Sequence, residues 1–188
     1  MPKKIAFALA AVLCISLGLG MAGCGSKGDP GQVVKDFWDA LQRGDFAAAE
    51  AYLSQEIARE VMDTLVDPSN PKAPMIVQAI LNSFRLDIVG SSENGDKATV
   101  DVEMTMPDKD KMSGGLMDSV YESMGDTANL SEEEYMQRLT SALTASLKKY
   151  PTVSEPGTVS LVWQNDKWKI DELLWGDIQQ YYWALDEL

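Results

Sequence analysis

The chain has 188 residues, 45% of them hydrophobic, and its 16 basic and 29 acidic side chains give a formal net charge of −13. That length and apolar content suit one domain with a sizeable core, and the acidic balance argues against nucleic acid as a partner. The sequence contains no histidine. This excludes a histidine general acid or base, a histidine-containing triad and an ordinary histidine zinc site.

Residues 1–23 have the layout of a signal peptide. Two lysines supply a positive start, and the apolar run 5–19 is too short to span a membrane comfortably. The sequence Met21-Ala22-Gly23-Cys24 that follows resembles the lipobox of bacterial lipoproteins. The resemblance implies cleavage before Cys24 and a diacylglyceryl thioether on its sulfur. The protein would then be held on the cell membrane, facing outside the cytoplasm. The alternative is an ordinary cleaved signal followed by a chance cysteine.

Cleavage at this point leaves a lipidated tether, residues 24–29, and a single domain, residues 30–188. Cys14 and Cys24 are the two cysteines of the sequence, so the mature domain cannot form a disulfide within itself. Gly25 follows the anchor cysteine, which leaves the outer membrane open as the destination in a bacterium with two membranes.

Helical periodicity dominates the first part of this domain. Asp29-Pro30 predicts a helix start, with Asp as N-cap and Pro at the first helical position. Gly44 ends that helix, and two shorter apolar faces follow up to Leu65. Three prolines within 67–74 predict a loop, and residues 75–81 predict a further helical piece.

From Phe84 the hydrophobic period changes to two. Alternation over 84–89 and 98–106 predicts two antiparallel strands joined by a turn at Asn94-Gly95. A second hairpin is predicted around Asn165-Asp166. With a two-residue turn, Trp163 lies opposite Trp168 and Leu161 opposite Ile170.

The segment of about 107–156 between these hairpins returns to the helical period. Its clearest feature is Ser131 followed by Glu134, a capping box. A last amphipathic helix is predicted at about 177–188. The order of elements indicates an α+β fold: N-terminal helices on an antiparallel sheet, with a helical insertion between two β-hairpins.

Two stretches are similar to a known domain family. The sequence GQVVKDFWDALQRGDFAAA (31–49) looks like the opening helix pair of nuclear transport factor 2-like (cystatin-like) domains, and LVWQNDKWKI (161–170) is similar to their closing hairpin. The resemblance implies a curved sheet wrapped around a helix, with a cone-shaped pocket between them. The insertion departs from the family pattern.

Two groups of aromatic side chains are candidate binding residues. The first group either lines the pocket of the cone or fills it as core: Phe37, Trp38, Tyr52, Trp163 and Trp168. The second group either packs back on the sheet or forms a partner surface: Trp175, Tyr181, Tyr182 and Trp183.

No residues are predicted for catalysis, for metal binding or for a cofactor. The segment 108–114 begins like a calcium loop but lacks the third oxygen ligand. Met104 and Met106 fit a strand core better than a copper site.

The leading functional interpretation is a membrane-anchored, non-enzymatic module that binds a small apolar ligand or an envelope protein. The alternatives are an accessory subunit of an envelope assembly without a small ligand, and an isomerase-like or dehydratase-like enzyme.

Overall fold

The structure of the protein, a computed structural model, describes residues 27–65, 73–112 and 115–173. The signal sequence, Cys24 and most of the loop predicted at 67–74 lie outside the described residues. So does the C-terminal helix predicted at 177–188. None of the helices in the described ranges combines the length and the hydropathy that crossing a bilayer requires.

Within the described residues, four helices open the domain. They are α1 (Pro30–Gln42), α2 (Phe46–Glu50), α3 (Gln55–Leu65) and α4 (Ala73–Leu81). The Asp29 side chain caps α1 by accepting a 2.9 Å hydrogen bond from Gly31 N, and Gly44 ends it with φ +72°, a left-handed conformation that glycine adopts without steric cost. The predicted helix start and stop are therefore confirmed.

In the described part of the chain, the sheet has four antiparallel strands in the order β1-β2-β3-β4. They are β1 (Arg85–Asn94), β2 (Lys97–Pro107), β3 (Thr152–Gln164) and β4 (Lys167–Glu172). Side chains of β2 alternate between the buried inner face and the solvent face, as the period of two predicts. In the second hairpin, Trp163 pairs with Trp168 and Leu161 with Ile170, so its predicted register is confirmed.

Between β2 and β3, the described residues form three inserted helices. They are α5 (Lys109–Met112), α6 (Leu116–Met124) and α7 (Glu132–Leu147). The insertion leaves and rejoins the sheet at one place, because Pro107 pairs with Thr152. Helix α7 packs on both α6 and α4, and Thr144 Oγ1 donates a 3.4 Å hydrogen bond to Ala79 O. The α+β class and the insertion between two hairpins are confirmed.

The core lies between α1 and the inner face of the sheet. Helix α1 contributes Val34, Phe37 and Leu41, each at most 2% exposed. They belong to one continuous apolar cluster with inner-face residues such as Val100 and Ile170. Fully burying a side chain of this size contributes about 1.5–3 kcal/mol, so this layer contributes substantially to the stability of the domain.

The sheet is open and uncurled, and it does not form the cone that the family resemblance implies. The two outer strands do not pair with each other, because β1 and β4 lie at opposite ends of the strand order. Residues 52–54 cover the free edge of β4 instead. Ile170 N donates to Tyr52 O at 2.8 Å, and Ser54 N donates to Ile170 O at 2.7 Å.

Strand β3 is longer than the sequence predicts. It begins at Thr152, within the segment of about 107–156 that is predicted to be helical, so the insertion ends earlier than 156. Pro156 stands inside the strand, opposite Glu103. Strand β4 pairs only with residues 160–164 of β3, so the first half of β3 is an edge on that side. Proline is tolerated at such an edge because no ladder hydrogen bond is lost.

Candidate functional site

The tip of the sheet holds a cluster of polar and aromatic contacts around Lys27. Lys27 Nζ lies 2.6 Å from Asp96 Oδ1 and 2.7 Å from Gly95 O. It also lies 5.3 and 5.4 Å from the ring centroids of Trp163 and Trp168, within the range of a cation–π interaction. We name Lys27, Gly95, Asp96, Trp163 and Trp168 the Lys27 clamp.

The two tryptophans of the clamp come from the predicted cross-strand pair. Their rings meet edge to face, with centroids 5.2 Å apart and planes inclined by 75°, a favourable geometry for aromatic pairs. Trp168 Nε1 donates a 3.2 Å hydrogen bond to Gly28 O. Both Lys27 and Gly28 are therefore fixed to the sheet, although the sequence assigns them to the tether. No local sequence pattern predicts these contacts, because they join positions 68–140 residues apart.

The candidate pocket residues divide into core and half-buried positions. Phe37, Trp38 and Trp168 are 2%, 6% and 3% exposed and belong to the hydrophobic core. Tyr52 and Trp163 are partly buried and pack against that core. This arrangement matches the interpretation of these aromatics as core residues more closely than a lined cone. A role for the five in binding stays a prediction.

One polar atom of this group has no partner in the described structure. Trp38 Nε1 is buried, and none of the described residues accepts a hydrogen bond from it. A buried N–H without an acceptor costs about 1–3 kcal/mol. A bound molecule with an acceptor at this point would remove that cost. The second aromatic group, Trp175, Tyr181, Tyr182 and Trp183, lies outside the described residues.

An open groove of about 790 Å³ crosses the outer face of β1, β2 and β3. Its lining includes Val89, Asp101, Glu103, Ser154, Pro156 and Thr158. Asp101 and Glu103 share this face because they are two residues apart on β2, and Thr158 Oγ1 donates to Asp101 Oδ1 at 3.4 Å. The groove is thus acidic, rich in hydroxyl groups and open to solvent.

Val89 forms the apolar rim of the groove. The pairing of β1 with β2 shifts between Ile88 and Gly90, so Val89 is left unpaired in a β-bulge and is 67% exposed. Bulges redirect side chains at sheet edges. An exposed valine beside two carboxylates suits a partner with both basic and apolar groups. Small-molecule pockets differ, since they usually enclose most of the ligand's surface.

The acidic side chains of the described ranges do not form a cluster of three or more that could hold a metal ion. The segment that begins like a calcium loop instead starts helix α5, where Asp108 Oδ1 accepts a 3.0 Å hydrogen bond from Asp110 N. This carboxylate serves as a cap at the helix start.

No protein-family model matches the chain, and no curated protein sequence matches it. Among solved structures, the chain is similar to the crystal structure of ycdA, a candidate lipoprotein from Bacillus subtilis subsp. subtilis strain 168. The two are 17% identical with a TM-score of 0.36, and the alignment covers 93% of this chain and 54% of the other. The chain therefore spans about half the length of that protein, and a TM-score this low does not establish a shared fold.

Proposed function

We propose that the protein is a lipoprotein anchored to the cell membrane through Cys24, with a domain outside the cytoplasm that acts as a non-enzymatic binding or interaction module. The supporting observation is where the fold begins. The Lys27 clamp fixes the chain three residues after the lipobox-like Met21-Ala22-Gly23-Cys24. A fold that starts so soon after the proposed lipid attachment suits a domain held at a membrane surface.

Labelling with an alkyne analogue of palmitate tests the anchor. The full-length chain is expected to take up the label in a bacterial host, and Cys24→Ala is expected to lose it. Cys14→Ala is the matched control, because Cys14 is the other cysteine of the chain and lies in the signal. Label on the Cys24→Ala protein, or none on the unaltered protein, would contradict the anchor.

The module interacts with a protein partner through the groove on the outer sheet face. Its two carboxylates and the exposed Val89 suit a partner surface that carries basic side chains next to an apolar one. The burial of Phe37 and Trp168 in the core also supports an accessory role in an envelope assembly over a small ligand among these rings.

A small ligand is the second candidate, and the unpartnered Trp38 N–H supports it. Trp38→Phe keeps an aromatic ring with most of the volume and removes the N–H donor. If a ligand accepts this hydrogen bond, native mass spectrometry of the detergent-purified lipoprotein should show a bound small molecule that is lost or reduced in Trp38→Phe.

Charge neutralisation of the groove tests the protein-partner proposal. We expect Asp101→Asn combined with Glu103→Gln to reduce crosslinking of one specific envelope protein to the purified lipoprotein. Asp118→Asn, an exposed acid on α6, is the control and should leave the crosslink unchanged. Equal crosslinking by all three proteins would argue against the groove as the docking site.

A further inference from the structure

We propose that one end of the sheet faces the lipid head groups and that the Lys27 clamp sets this orientation. The turn end consists of Lys27 and residues 93–97 and 165–169, which form the tips of both hairpins. The partner of this surface is the membrane itself. The inference rests on the lipid anchor at Cys24 proposed above.

The clamp ties the start of the domain to both hairpins at once. The Lys27 ammonium bonds the tip of the β1–β2 hairpin through Asp96 and Gly95, and it lies over Trp163 and Trp168 of the β3–β4 hairpin. The two tips are themselves joined, since Trp163 N donates to Asp96 O at 2.8 Å. The fold therefore begins at the turn end.

Chain length then limits how far this end can be from the membrane. Three residues separate Cys24 from Lys27, and three fully extended residues span at most about 11 Å. Strand β2 runs from the turn end to Pro107, a distance of about 33 Å for its eleven residues. The helical insertion leaves the sheet at that far end, so its point of attachment is several times further from the anchor than the tips are.

The distribution of charge agrees with this orientation. After removal of Lys3 and Lys4 with the signal, the chain has 14 basic and 29 acidic residues. The turn end alone contains four lysines and three carboxylates, so the excess of negative charge lies elsewhere in the domain. Anionic lipids act on charges within a Debye length, about 8 Å at physiological ionic strength. Within the described sheet, the turn end lies nearest the anchor, and its charges are nearly balanced, with one more lysine than carboxylates.

The orientation also determines what a partner can reach. The groove residues Asp101 and Glu103 lie four and six positions along β2 from Lys97, or about 13–20 Å from the turn end. The groove therefore stands clear of the head groups, and the helical insertion extends from the far end of the sheet. Both surfaces remain open to envelope proteins.

Single-cysteine labelling tests the orientation directly. Cys24 is blocked by its thioether, so Asn94→Cys and Thr152→Cys each give the lipidated protein one reactive thiol. Asn94 lies exposed at the turn end and Thr152 lies exposed at the far end. Each protein is labelled with bimane and reconstituted into phosphatidylethanolamine–phosphatidylglycerol vesicles that contain lipids with a nitroxide on the head group.

We expect the label at position 94 to lose most of its fluorescence to the nitroxide and the label at 152 to keep it. Lys27→Ala should reduce the loss at 94, because the domain is then free to turn about its tether. Lys35→Ala is the matched control. It removes an exposed lysine of α1 that pairs with Asp39 at 2.7 Å, and the loss at 94 should persist.

The possible outcomes separate this inference from the lipid anchor. If the protein does not float with the vesicles, the anchor fails and the orientation fails with it. If it floats and label 152 is quenched as strongly as label 94, the orientation alone is wrong. If Lys27→Ala retains native circular dichroism and the same quenching difference, the clamp does not set the orientation.

Discussion

At the start of α7, the side chains of Ser131 and Glu134 each accept a hydrogen bond from the backbone N–H of the other residue. Glu134 N donates to Ser131 Oγ at 3.3 Å, and Ser131 N donates to Glu134 Oε2 at 2.9 Å. The hydrogen bonds from the Ser131 backbone and hydroxyl lower the pKa of Glu134 below its ordinary value of 4.5, because they stabilise the charged carboxylate. The capping box makes the stability of this helix start depend on pH.

Ser131→Ala should lower the free energy of unfolding by about 1 kcal/mol at neutral pH, the usual cost of losing a side-chain N-cap. The pKa of Glu134 is lowered in the folded state, so its contribution is fully present above the unfolded-state pKa and is lost as pH falls through the folded-state pKa. The difference between the variant and the unaltered protein should therefore shrink in acid. Urea unfolding at neutral and acidic pH measures it.

An NMR titration supplies an independent reading of the same pair. The pKa of the Glu134 carboxyl should rise part of the way toward its ordinary value in Ser131→Ala, which loses the hydroxyl but keeps the backbone donor at position 131. It should stay low in Ser123→Ala, a control on an exposed serine of α6. A loss of stability that is the same at every pH would show that the hydroxyl acts without the carboxylate.

The capping box can be predicted from the sequence and the Lys27 clamp cannot, because the partners are close along the chain in the first case and far apart in the second. Ser131 and Glu134 are three residues apart, so helix geometry alone brings them together. Lys27 reaches residues 68 or more positions away, and those contacts exist only after both hairpins have formed. The burial of Trp38 and Trp168 likewise depends on how α1 crosses the sheet.

The second hairpin is the element that the sequence predicts best. Its two turn residues, Asn165 and Asp166, have φ values of +51° and +59°, which correspond to a type I′ turn. Asparagine and aspartate tolerate this left-handed region better than most residues. The turn fixes the register, and the register places Trp163 opposite Trp168.

Asp166→Gly should stabilise the protein by about 0.5 kcal/mol, because relief of left-handed strain exceeds the entropy cost of glycine at this point. Asp166→Asn is the matched control, since it removes the same charge and keeps a side chain. Thermal unfolding of the three proteins gives the comparison. A glycine variant less stable than the asparagine variant would mean that the turn is not strained at this position.

Several features of the other strands could not be predicted from hydrophobic period and turn residues. Pro151 and Pro156 favour a loop locally, yet β3 runs from Thr152 because half of it has an open edge. The bulge at Val89 and the cover of β4 by residues 52–54 also depend on pairing between distant segments. The expected cone came from two short resemblances, which carry no information about closure of the sheet.

At the scale of the whole molecule, the helical insertion is part of the core. Leu143 and Leu147 of α7 are each 2% exposed, and they belong to the same apolar cluster as Leu41 of α1 and Val100 of β2. Sequence places the insertion between the hairpins and gives its start at the end of β2, where the period changes, but the insertion ends before the predicted 156. Its packing on α4 could not be predicted from the sequence, because helical periodicity does not specify which surface an apolar helix face covers.

Leu143→Ala should destabilise the entire domain by about 2–5 kcal/mol, the range for large cavities in cores. The tryptophans of the chain all lie outside the insertion, so their emission reports unfolding of the rest of the protein. In a single cooperative unit, tryptophan emission and far-ultraviolet circular dichroism should move to the same lower midpoint. Leu130→Ala, a half-buried leucine outside the cluster, should have a much smaller effect on both. If only the circular dichroism transition moves in Leu143→Ala, the insertion unfolds separately and cannot hold a partner in a fixed position relative to the sheet.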